Sequence, residues 1–130
     1  MALAFEADRG ISRADGFWAA ATLSAVALTV AASEARAEPK RTQAQARIVA
    51  VCSELAELAD HPETKLVGSI ALSLGEFVRQ SDLDQPALEV IAGHLEALRA
   101  VLRHTIQGDG GPVGRQIMAG LKASVAQRVS

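Results

Sequence analysis

Phe17–Ala32 reads FWAAATLSAVALTVAA, sixteen residues without one charged side chain in a chain of which 22% are charged. Such a run is buried in a core, inserted in a membrane or removed by processing, and the choice decides the fold. As a helix it is well made. Ala, Leu and Val dominate it, neither Gly nor Pro interrupts it, and Ala is the best helix former. Ser12 and Asp15 supply an S-x-x-D start signal just before it. Leu23, Val26 and Val30 follow the three-then-four step of one helical face. Ala20, Ser24, Ala27 and Ala31 form a small-residue strip that lets a second backbone come close. A helix apolar on so many sides is expected in the middle of a fold.

The two other fates are weaker. Sixteen residues at a rise of about 1.5 Å span roughly 24 Å, short of the ~30 Å hydrocarbon core. The flanking Asp15 and Glu34 are acidic and make poor interfacial anchors, so no stable membrane span is expected. The run does have the length of a signal h-region, and Ala35-Arg36-Ala37 before Glu38 is an A-x-A pattern. The leader, however, carries Glu6, Asp8 and Asp15 against Arg9 and Arg13, where a short positive segment is required. A cytoplasmic protein with a core helix is the principal reading. An exported, periplasmic protein with residues 1–37 as a signal peptide is the alternative.

Composition narrows the class. The chain has 130 residues, 49% of them hydrophobic, enough for one domain with a substantial core. That core is aliphatic, with one Trp, three Phe and no Tyr, and no alternating strand pattern accompanies it. A formal net charge of −2 offers no basic stripe for nucleic acid. The single cysteine, Cys52, forbids an intramolecular disulfide and fits a reducing compartment.

Breaks at Glu38-Pro39, Asp60-His61-Pro62, Ser81–Pro86 and Gly108–Pro112 divide the chain. Residues 1–11 read as a flexible N-terminal arm and 12–130 as a single domain. The expected fold is an all-α antiparallel bundle of about five helices, at roughly 13–37, 43–60, 62–81, 86–106 and 112–128. Thr42 is the expected N-cap of the second helix. That helix has a stripe of Ala44, Ile48, Val51, Leu55 and Leu58, with Cys52 beside it as a core filler; Gln45, Arg47, Glu54 and Glu57 read as solvated. The third buries Leu66, Ile70, Leu74, Phe77 and Val78, with Gly68, Ala71 and Gly75 as a strip for close helix approach, within the bundle or across a dimer. The fourth has the heptad seam Leu88, Ile91, Leu95, Leu98 and Leu102. The fifth sets Val113, Ile117, Leu121, Val125 and Val129 on one side. The glycine run after the fourth helix lacks the spacing of a phosphate loop and reads as a cap and turn.

The histidines are the candidates for chemistry. His61 reads as a helix-end cap and His104 as exposed. His94 reads as half-exposed in mid-helix beside the small residues Gly93 and Ala97. That placement is similar to the phosphorylated histidine of a histidine phosphotransfer domain, which must meet a receiver aspartate in line. The family's H-x-L-K-G pattern is not kept, since the segment reads His94-Leu95-Glu96-Ala97-Leu98. No H-x-x-x-H, E-x-x-H or C-x-x-C spacing points to a metal, no cofactor motif is present, and no catalytic constellation supports an enzyme. The expected function is therefore protein–protein interaction in a regulatory or scaffold role, with self-association as a homodimer through Ala20, Ser24, Ala27, Ala31, Gly68, Ala71 and Gly75. Phosphotransfer signalling through His94 is the alternative.

Overall fold

A computed structural model describes the backbone of residues 2–129 and the side chains of residues 16–37 and 39–127. Among the described residues five helices account for the fold: α1 (Ala2–Glu34), α2 (Arg41–Leu58), α3 (Lys65–Arg79), α4 (Gln85–His104) and α5 (Gly111–Val129). Short 3₁₀ turns at Glu38–Lys40 and Pro62–Thr64 lead into α2 and α3. No strand occurs among the described residues, and the all-α bundle is as expected. α1 starts earlier than the Ser12 signal indicates, so the backbone of residues 2–11, in the expected arm, belongs to that helix. The Ser12 and Asp15 side chains lie outside the described residues.

The helix in the middle is α3, not α1. Leu66, Val67, Ile70, Ala71, Leu74 and Val78 are each at most 1% exposed, and Phe77 closes the far end. α3 packs on α2, α4 and α5, whereas α1 packs on α2 and α4. α1 buries its small side, Ala21, Ala25, Leu28 and Ala31, and Ala35 just past its end is buried with them. Three of its large aliphatic side chains point outward instead, with Leu23 71% exposed, Val26 55% and Val30 51%. The reason is spacing. Alanines on one face let the α1 backbone lie close to α2 and α4, and the bulkier face has no room there.

Other elements follow their patterns with local corrections. The α4 seam is buried through Leu98, and Leu102 packs half-buried against the core. In α2 the stripe is rotated, with Cys52 and Ala59 inside, Val51 half-buried and Leu58 55% exposed. α5 is the most lightly held. Leu121 is its one buried large apolar residue among those described, Ile117 and Val125 are half-buried, and Val113 is 52% exposed.

The joints explain the helix ends. Thr42 lies inside α2, whose N-cap is Lys40 without a side-chain bond. Gln45, expected in solvent, donates from Nε2 to the Val78 and Ser81 carbonyls at 2.8 Å each and ties α2 to the end of α3. His61 caps the Pro62–Thr64 turn, its Nδ1 accepting from the Glu63 N–H. Asp84 caps α4 by accepting from the Ala87 N–H at 3.0 Å, with Pro86 in the first turn. In the glycine run, Gly108 donates to the Glu63 carbonyl and accepts from the Leu66 N–H. The run thus satisfies an N-terminal amide of α3 and is a structural clasp.

α4 ends on Thr105 in the left-handed region, at φ 48°. Glycine takes that conformation without the steric cost of about 1 kcal/mol or more that a Cβ brings. Thr105 is exposed and, among the described residues, makes no side-chain hydrogen bond that Gly would lose. Thr105→Gly is expected to raise stability by about 1 kcal/mol, or roughly 4 °C in a thermal melt followed by circular dichroism.

Candidate functional site

His94 lies midway along α4 and is 0% exposed, not half-exposed. Both ring nitrogens are engaged. Nδ1 is 2.9 Å from the Val90 carbonyl one turn back on α4, and Nε2 is 2.9 Å from Ser73 Oγ on α3. A carbonyl can only accept, so Nδ1 carries the proton of the neutral ring and Nε2 offers a lone pair. Ser73 then donates its hydroxyl hydrogen to Nε2. Burial pushes the imidazole below the ordinary histidine value, outweighing the upward pull of the Val90 bond, and the ring is neutral at pH 7.

This relay fixes what the pair can do. In-line phosphotransfer needs a ring nitrogen open to a partner aspartate, and His94 has neither the exposure nor a spare nitrogen. The Ser73 hydroxyl is within reach of a base, as a nucleophile would be. Yet Ser73 sits in mid-helix, where the backbone N–H groups are spent on the helix and cannot gather as an oxyanion hole. The arrangement orients a hydroxyl; it does not assemble an acyl-transfer site.

Ser73 is half-buried because it borders a groove of about 970 Å³ between α3 and α5. Leu72, Phe77, Met118 and Val125 supply its apolar lining, and Glu76, Asp82 and Lys122 stand around it. Leu72 is 62% exposed there. The lightly held α5 forms the second wall, where Met118 and Val125 are half-buried.

The small-residue strips serve the chain's own packing. Gly68, Ala71 and Gly75 are buried against α2, where a Cβ on Gly68 would lie 3.3 Å from Ala59 Cβ and one on Gly75 3.1 Å from Cys52 Cβ. They are correctly placed for close helix approach but lie inside one chain and are closed to a dimer partner. Ala31 is likewise fully buried, and Ala20, Ser24 and Ala27 are half-buried on the flanks of the α1 contact. The surface left open is the one expected to be core: Leu23, Val26 and Val30. Cys52 is buried, and the loss of solvent pushes its thiol up to about 12, so it is a packing residue and not a nucleophile. His104 is exposed.

Ser73 could not be found from the sequence. It lies 21 positions from His94 on another helix, and no local spacing links them. Leu72 carried a faint signal, as a large apolar residue outside the Leu66–Val78 stripe. Among the described residues no cluster of three or more His, Cys, Asp or Glu side chains could hold a metal ion. No family model, curated protein or solved structure matches this chain.

Proposed function

We propose that the protein works by protein–protein interaction, in a regulatory or scaffold role, and pairs with a second copy of itself through the outer face of α1. One observation carries this reading: Leu23, Val26 and Val30 are 71%, 55% and 51% exposed on a helix face with no charge from Phe17 to Ala32. With Ala19 before them and Ser33 after, the spacing is four, three, four, three, a heptad seam. The face suits itself. About a two-fold axis at Val26, Leu23 of one copy meets Val30 of the other, and no charge opposes the match.

α1 also holds Ala21, Ala25, Leu28 and Ala31 in the core, which argues for its retention in the working protein. Sedimentation of the full chain tests the proposal. The wild type is expected as a dimer. Val26→Glu would bury two carboxylates at the axis and is expected to weaken pairing at least 100-fold with the helix content unchanged. A wild-type monomer at tens of micromolar, or a mature species beginning at Glu38, would sink the reading. The second of these would favour export instead.

A further inference from the structure

We propose that the groove between α3 and α5 binds the apolar face of a basic amphipathic helix from a partner protein. The inference is independent of pairing through α1, which lies on other helices.

Shape comes first. The groove runs along α3 from Ser69 to the helix end at Arg79, about 15 Å at 1.5 Å per residue or close to three turns of a docked helix, and continues past Gln80 to Ser81 and Asp82. It is walled by two helices and open along its length, since Leu72, Glu76 and Lys122 are all exposed. A long open trough with an aliphatic and aromatic lining suits anchors at i, i+3, i+4 and i+7 of a helix. Methionine at position 118 adds a flexible side chain that adapts to such anchors.

Polarity decides the sign of the partner. The Val90–His94–Ser73 relay points the Ser73 hydroxyl hydrogen into the protein, so its oxygen offers only lone pairs to the groove. A hydrogen-bond donor is welcome there and an acceptor is not. Glu76 stands one turn along α3 on the same side, and Asp82 stands just past the end of that helix. Neither is in an ion pair among the described residues. Among the described residues that line the groove, Lys122 on the α5 wall is the one cation against these two carboxylates. Lone pairs and carboxylates on the α3 side favour lysine or arginine flanking the partner's apolar stripe. A phosphate or an acidic segment would meet repulsion and an unmatched acceptor. The charge-free α1 face of a second copy would leave both carboxylates without partners.

The test uses the full-length, isotope-labelled protein and two synthetic 14-residue helical peptides with leucine at i, i+3, i+4 and i+7. One carries lysine at the remaining positions and the other glutamate. The lysine peptide is expected to shift the amide signals of residues 69–82 and 118–126 and to bind at least 10-fold more tightly than its twin. Glu76→Lys with Asp82→Lys, both at exposed positions, is expected to remove that preference without changing the thermal melt. Leu72→Glu is expected to weaken the lysine peptide at least 5-fold through lost apolar contact. Equal affinity for the two peptides, or shifts on Leu23–Val30 in place of the groove, would overturn the proposal. So would a preference that survives the double charge reversal.

Discussion

Gly75→Val is expected to destabilise the fold by about 3 kcal/mol and lower the melting temperature by roughly 10 °C. A Cβ at this position already lies 3.1 Å from Cys52 Cβ, so two further methyl groups have no space unless α2 and α3 separate. Separation would break the contact of the central helix with α2, and Cys52 reports it directly. In the native fold the buried thiol, raised to about 12, should resist a disulfide reagent at pH 8, and in the variant it should react at least 10-fold faster. Gly93→Ala and Gly120→Ala are the controls. Both glycines are in helix interiors with nothing within 4 Å of an added Cβ, so each change is expected to stabilise by up to about 1 kcal/mol. If Gly75→Val melts like the wild type, the seam is looser than described.

His94 should make the fold sensitive to mild acid. The unfolded chain takes up a proton near the ordinary histidine value of 6.5, while the buried ring of the folded chain resists until a lower pH. Below 6.5 the unfolded state therefore binds more protons, and stability falls as pH falls. The contribution is fully present above 6.5 and declines by up to about 1.4 kcal/mol per pH unit until the folded ring itself titrates. Urea titrations from pH 7.5 to 5 should show this slope in the wild type. His94→Leu should flatten it, while losing about 1–3 kcal/mol at pH 7.5 because Ser73 is left without its acceptor. His94→Leu, Ser73→Ala should recover part of that loss, since no unmatched hydroxyl then remains. A slope unchanged in His94→Leu would assign the acid sensitivity to other groups.

What the sequence revealed depended on which physical signal governed each element. α4 was legible because its seam is regular and its ends carry Asp84, Pro86 and a basic last turn, each acting locally. The five helices and their joints followed from proline, glycine and capping residues for the same reason. The orientation of α1 did not, because hydrophobic size pointed one way and packing space the other. Leu23, Val26 and Val30 look like a core face until the alanine side is found to be what fits α2 and α4. The site was least legible. His94 was noticed, yet its burial and its bond to Ser73 depend on the approach of α3 to α4, a tertiary fact with no spacing in the chain to announce it.

The open face of α1 also has a consequence in time. The ribosome completes α1 well before α4, the helix against which part of its small side is buried. About 70 residues separate the end of α1 from the end of α4, which at 5–20 residues per second is roughly 4–14 s of synthesis. Through that interval the charge-free Phe17–Ala32 segment of α1 lacks its α4 partner, and its outward face is exposed to the surroundings of the nascent chain. Factors that sample emerging apolar segments, whether for holding or for targeting, would encounter it before the bundle closes. The outward stripe remains available to them even afterwards, so the cell's handling of this protein begins at the same residues as its proposed assembly.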